Sequence, residues 1–130
     1  MTKRSRALGV LAAALILGAG TATTAAAADP VFSCTYRVSP WNGGFSADLW
    51  FTNGGPVING WTVRMVFPGP ASVGTVWNAN IAQGSPVEMI ATPMPWNTVI
   101  STGQFGTFGW TATSSVDGVP TTVSINGISC

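Results

Sequence analysis

The stretch GFSADLWFTNGGP, residues 44–56, decides how the rest of the chain is read. Phe45, Ala47, Leu49 and Phe51 alternate with Ser46, Asp48, Trp50 and Thr52. That period of two places four apolar side chains on one face of a strand and turns the other face to water. Residues 53–56 then supply Asn, Gly, Gly and Pro, where a chain is expected to turn. After the turn the pattern returns. Trp61, Val63, Met65 and Phe67 alternate with Thr62, Arg64 and Val66, which reads as a second half-buried strand.

Working outward, further short runs lie at 75–78, 87–91, 106–112 and 121–126, separated by clusters of Gly, Pro, Ser and Asn. Beyond the N-terminal region no segment sustains the apolar spacing of a helix. Many short strands with regular turn signals predict an all-β chain folded as one antiparallel β-sandwich, immunoglobulin-like or jelly-roll-like. There is no internal repeat and no room for a second domain in 130 residues.

The first 28 residues follow a different logic. Lys3, Arg4 and Arg6 form a cationic start, residues 7–19 are an apolar run, and residues 21–28 are small and end in Ala26-Ala27-Ala28. This order predicts a secretory signal peptide over 1–28, cleaved before Asp29, and a domain over 29–130. The apolar run is shorter than the ~20 residues a membrane span needs. The expected destination is therefore secreted or extracellular, as a monomer with no membrane contact after cleavage.

Removal of that segment leaves two basic residues, Arg37 and Arg64, against four acidic ones, Asp29, Asp48, Glu88 and Asp117, for a net charge of −2. No basic patch survives, and nucleic acid is excluded as a partner because phosphate neutralisation needs Lys and Arg. The two cysteines, Cys34 and Cys130, sit near the two ends of the mature chain. In an exported protein such a pair reads as a disulfide clamping first strand to last, whereas a redox-active pair would want closer spacing and cationic neighbours.

Reactive chemistry is scarce. The chain has no histidine, so a Ser-His-Asp triad, imidazole acid–base work and a His-ligated metal are excluded, and no cofactor or metal is expected. Only carboxylates could catalyse. A glycoside hydrolase, a chitinase or cellulase for example, would need two of them facing each other across the scissile bond; the candidates are Asp48, Glu88 and Asp117, with Asp48 or Glu88 first. No two of the carboxylates share a motif, and solvated surface charges are the simpler reading.

Tryptophan is abundant instead, at six residues. Trp61 and Trp110 lie in phase with apolar neighbours and are expected in the core. Trp41 in SPWNGGF, Trp77 in TVWNAN and Trp96 in PMPWN each precede an asparagine at a turn or strand end, where no apolar periodicity carries them inward. Exposed aromatic side chains cluster where something flat and apolar is bound, and the axial C–H face of a pyranose is such a surface. Prolines 93 and 95 would hold Trp96 in a fixed posture. Trp50 is expected on the outer face of its strand, and neither it nor Arg37 carries an assigned role.

The motifs CTYRV, WNGGFSADLWFTN, INGWTVRMVF, VWNAN, PWNTVISTG, FGW and SINGISC occur in order over residues 34–130. In this set the chain resembles the family 2 carbohydrate-binding modules, bacterial cellulose- or chitin-binding domains attached to secreted glycosidases. The resemblance implies a β-sandwich with its ends joined by a disulfide and a flat face bearing Trp41, Trp77 and Trp96, with Trp61 buried. It further implies polar contacts from Asp48, Thr75, Thr107 and Thr111, shorter or more acidic groups than the amides often found there. Xylan-binding members carry an arginine three residues after the first surface tryptophan and usually lack the last one. Here Gly44 and Trp96 occupy those places, as in the flat-faced binders of crystalline polysaccharide. Modules of this kind are normally joined to a catalytic domain by a Pro/Thr/Ser-rich linker, and with neither in this sequence the expectation is a free-standing, non-enzymatic module whose partner is cellulose or chitin. A third possibility left open by the residues is an immunoglobulin-like adhesion module using the same aromatic strip.

Overall fold

A computed structural model describes residues 31–130; the expected signal peptide over 1–28 lies outside the described residues. Among the described residues the regular structure is all strand: β1 (Phe32–Trp41), β2 (Gly44–Asn53), β3 (Ile58–Asn59), β4 (Val63–Val66), β5 (Ala71–Trp77), β6 (Ala79–Ser85), β7 (Glu88–Pro93), β8 (Val99–Ile100), β9 (Phe105–Ser114), β10 (Thr122–Ile125) and β11 (Ile128–Ser129). All pairings are antiparallel. They build a four-stranded sheet in the order β1-β2-β9-β5, a five-stranded sheet in the order β11-β10-β4-β7-β6, and a small β3-β8 ladder. The expected sandwich is what forms.

Each sheet has one apolar face because its strands alternate. Phe45, Ala47, Leu49 and Phe51 of β2 are buried, and opposite them stand Phe108, Trp110 and Ala112 of β9. Val63 and Met65 of β4 face Met89 and Ala91 of β7 in the second sheet, whose inner face closes on the first. The predicted strand over 61–67 is shorter in its ladder, which spans only Val63–Val66, yet Trp61 and Phe67 remain buried at its two flanks. Between the sheets runs a column of rings. Trp61 stacks on Phe108 at 5.6 Å, Phe108 on Trp110 at 5.6 Å, and Phe51 meets Trp61 edge-on at 5.3 Å. Such ring pairs contribute about 0.5–1.5 kcal/mol each beyond the area they bury.

The sandwich is closed at both open sides. On one, Cys34 of β1 is bonded to Cys130, which follows β11, with Cα atoms 5.6 Å apart and a sequence separation of 96. The expected end-to-end disulfide is thus present, and closing a loop near 100 residues stabilises by about 4–5 kcal/mol in the chain-entropy model. On the other side Gln83 of β6 uses its side-chain amide as a substitute for ladder bonds: Nε2 donates to the Ala71 carbonyl at 2.8 Å, and Oε1 accepts from the Val73 N–H at 2.8 Å. Strand β6 was not expected from the sequence. Its run of Ala, Asn, Gln, Gly and Ser lacks β-branched and aromatic residues, apart from Ile81, and it forms at a sheet edge where tertiary pairing overrides propensity.

Two interior polar groups fix loops. Asn53 is fully buried; its amide donates to the carbonyls of Pro56 (2.8 Å) and Ile100 (3.0 Å) and accepts from the Gly55 N–H (2.9 Å). Both amide N–H groups and one lone pair of the side-chain oxygen are used, so the NGGP turn is pinned rather than merely permitted. Tyr36 donates its hydroxyl to the Gly118 carbonyl. Burial, and then the negative charge of Asp117, push its phenol well above the usual tyrosine range, so it remains a donor at any physiological pH.

Candidate functional site

The outer face of the four-stranded sheet brings together most of the residues expected to bind. Register places Arg37, Asp48, Gly109 and Trp77 side by side across its four strands, and Trp41, Gly44, Thr113 and Ser72 in a second row parallel to the first. In both rows a tryptophan sits beside or near a glycine. A Cβ on Gly109 would run into the Trp77 ring carbons and the Asp48 carboxylate, and one on Gly44 would lie 2.8 Å from Trp41 Nε1. Each indole therefore lies against bare backbone, over β2 for Trp41 and over β9 for Trp77. With same-face rows four residues apart at ~3.4 Å each and strands ~4.8 Å apart, the two seats are on the order of 14 Å from each other.

Trp77 reaches this face through an irregularity. Along β5, Ser72 lies opposite Thr113 and faces outward, and strict alternation would then send Trp77, five residues on, into the core. A β-bulge between Val73 and Val76 inserts one residue and reverses the phase, so Trp77 emerges opposite Gly109. The bulge is stitched by Thr111, whose Oγ1 accepts from the Thr75 N–H at 3.0 Å. Thr75 and Thr111, expected as ligand contacts, are adjacent on this face, and Thr111 has this structural bond as well.

Trp96 stands at the far end. Its loop follows β7, and Asn97 does most of the bracing that the sequence suggested for the prolines. Asn97 Oδ1 accepts from the Met94 N–H (2.8 Å), Nδ2 donates to the Asn78 carbonyl (2.7 Å), and its own carbonyl accepts from the Trp61 indole N–H (2.8 Å). Asn78, which follows Trp77, adopts a left-handed backbone with φ of 64°. The asparagines after Trp77 and Trp96 are thus brackets joining the two tryptophan-bearing segments, and a core indole anchors the loop from beneath.

The resulting exposures are 52% for Trp41, 39% for Trp77 and 69% for Trp96, against 2% for Trp61 and 0% for Trp110. The division of indoles expected from sequence is the one observed. Asp48 and Thr107 are half-buried on the same outer face, on either side of the Trp77 seat. Arg37 stands opposite Asp48 in register, and its guanidinium lies over the Trp50 ring at 4.8 Å, a cation–π contact that covers that outer-face indole. Near Trp41 the face runs into a shallow depression of about 760 Å³ bordered by Pro40, Asn42, Pro70, Ser115 and Asp117. Sequence reasoning missed Gly109 as a seat, and it missed Phe105, which is 60% exposed beside Trp96. For Phe105 a signal existed, since period-two spacing puts 105 in phase with Thr107 and Gly109.

Among the described residues the carboxylates are dispersed. Asp48 is on the outer face of one sheet, Glu88 is paired with Arg64 on the other sheet, and Asp117 lies between β9 and β10. Among the described residues no group of three or more acidic, His or Cys side chains is placed to hold a metal ion.

A family model described as cellulose binding domain matches residues 32–130. The chain belongs to that family. Among similar proteins, Endoglucanase B of Cellvibrio japonicus is 37% identical over 99 residues, covering 73% of this chain and 19% of that protein. The chain spans a fifth or less of the length of the first three curated relatives. Among solved structures, the chitin-binding domain of Chi18aC from Streptomyces coelicolor is 28% identical with a TM-score of 0.63, covering 76% of this chain and 93% of that domain. The cellulose-binding family 2 carbohydrate binding domain of ScLPMO10C is 29% identical with a TM-score of 0.57, covering 79% and 97%. As a cellulose binding domain, the described chain is a binding module rather than a catalytic one.

Proposed function

We propose that this cellulose binding domain adsorbs to insoluble β-1,4-linked polysaccharide, cellulose or chitin, by laying Trp41, Trp77 and Trp96 against the apolar faces of successive sugar rings. The observation that carries this reading is the seating of Trp41 and Trp77 on glycine backbone along one outer face, with Trp96 braced at the end of the same face. Asp48, Thr75, Thr107 and Thr111 form the polar margin that would meet sugar hydroxyls. The names of similar proteins, from endoglucanases to chitin-binding domains, agree with this class of ligand. The domain would act outside the cell as a monomer, after loss of residues 1–28.

Magnitudes support three rings rather than one. If each indole covers roughly 100 Å² on docking, it contributes about 2.5 kcal/mol at ~25 cal/mol per Å². A single contact does not offset the ~4–15 kcal/mol cost of association, whereas three bring the sum to about 7.5 kcal/mol before any hydrogen bond. Fixed seats reduce the side-chain entropy lost on contact, which moves the balance further toward binding.

The test is depletion binding on microcrystalline cellulose and on chitin with Trp41, Trp77 and Trp96 changed to Ala one at a time. Each change should weaken adsorption by at least tenfold, on the order of 1.4 kcal/mol, while the melting temperature stays within a few degrees. Wild-type adsorption by all three variants would refute the proposal.

A further inference from the structure

Three of the most exposed large apolar side chains are gathered in one place. Trp96 (69%), Phe105 (60%) and Val99 (56%) line a single cleft of about 280 Å³, with Asn78 and Thr107 on its polar side. A cluster of this kind, continuous with a candidate binding face, marks a contact surface more often than isolated exposed residues do. Phe105 belongs to the outer face through its alternation with Thr107 and Gly109, and at its level β5 has already ended opposite Gly109. The cleft therefore opens beside the row, where the Trp96 loop takes the place of a continuing strand.

Its shape and lining differ from the rest of the face. The Trp41 and Trp77 seats are glycine backbone, which leaves an indole face open to a sugar ring. A glucan carries hydroxyls and a hydroxymethyl group on each ring; these could pair with the polar side of the cleft but would leave its phenyl, indole and isopropyl walls without an apolar partner. A polymer of N-acetylhexosamine carries on each ring an arm with an amide and a terminal methyl. With one sugar ring on Trp96, an arm directed into the cleft would meet Phe105 and Val99, which would cover the methyl. The amide needs a donor and an acceptor. Asn97 is committed to the Met94 N–H and the Asn78 carbonyl, which leaves the Asn78 side-chain amide and the Thr107 hydroxyl to pair with it. No charged side chain lines the cleft, as suits a neutral amide.

Resting on the platform reading above, we propose that the Trp96–Val99–Phe105 cleft is an acetamido subsite, which turns the face toward N-acetylated polysaccharide in preference to unsubstituted glucan. Phe105 and Val99 are its specificity-determining residues, and neither is needed to hold a seat for Trp41 or Trp77.

Adsorption isotherms on chitin and on microcrystalline cellulose, with melting curves, test this with Phe105→Ser, Val99→Thr and Trp77→Ala. Phe105→Ser should weaken chitin adsorption about fivefold to tenfold, the effect of losing roughly 40–55 Å² of apolar contact, and change cellulose adsorption by less than about twofold. Val99→Thr keeps the β-branched shape and should shift chitin adsorption the same way by a smaller factor. Equal losses on both polymers would make Phe105 a further platform ring and overturn the subsite, as would unchanged chitin adsorption. A wild-type dimer in sedimentation that Phe105→Ser dissociates would also overturn it, by assigning the cleft to a second copy of the chain. Trp77→Ala separates the two layers: it should weaken binding to both polymers, and if it does not, the platform reading fails whatever the cleft variants do.

Discussion

The four-stranded sheet is aromatic on both faces, and the two faces use their rings in opposite ways. On the inner face Phe45, Phe51, Phe108 and Trp110 are enclosed by other side chains and exclude water entirely. On the outer face Trp41 and Trp77 rest on glycine backbone with one side covered and the other wet, and Trp50 is covered by Arg37. Residue type does not distinguish the faces. Strand phase does, and a one-residue bulge in β5 is enough to move an indole from one face to the other. The lesson is that an aromatic residue in a sandwich is assigned its role by parity and by what lies beneath it.

The strongest challenge to this contrast comes from the inner column. Trp61→Ala should destabilise the domain by about 3–5 kcal/mol in urea unfolding, as truncation of a large core ring does. It also removes the donor to the Asn97 carbonyl, so residual folded protein should bind with a loosened Trp96 loop. A loss below about 1 kcal/mol would mean that the ring column is not a principal support of the fold.

A subtler variant leaves every indole in place. Gly109→Ala adds one methyl beneath Trp77, where only the ring and the Asp48 carboxylate can give way, so the indole should tilt off the sheet. Adsorption should fall about tenfold, the loss of roughly half of that ring's contact, while stability changes by about 1 kcal/mol or less. Undiminished adsorption would show that a level seat is dispensable.

The smallest effect is expected on the opposite side of the molecule. Arg64 and Glu88 pair on the outer face of the five-stranded sheet with side chains 50% and 25% exposed, a setting in which ion pairs contribute about 0–1 kcal/mol. Arg64→Gln should leave adsorption unchanged and move stability by no more than about 0.5 kcal/mol. A clear drop in adsorption would mean that both sides of the sandwich touch polymer, and the contrast between faces would dissolve.

What could be read in the chain follows from the same distinction. The alternation of residues 45–52 was sufficient for a half-buried strand, and in-phase neighbours were sufficient to send Trp61 and Trp110 inward. The outward direction of Trp77 was inferred from its polar surroundings, while its actual cause, the bulge held by Thr111, depends on a hydrogen bond between strands 36 residues apart. Such a bond has no local signature. Strand β6 was invisible because its small polar residues are paired by a neighbour and not by their own preference. Asn53 and Asn97 read as turn formers; that each is a hub of hydrogen bonds becomes visible only when distant loops are brought together.

Seating indoles on backbone has a metrical consequence. Same-face positions recur every two residues along a strand, about 6.8 Å, and every strand across, about 4.8 Å. Such a lattice permits only discrete separations between rings, and no side chain beneath them can be adjusted to interpolate. Under the proposed function the sheet would act as a graduated scale against which a repeating polymer is measured. A different repeat could be accommodated only by moving a bulge or a glycine to another graduation.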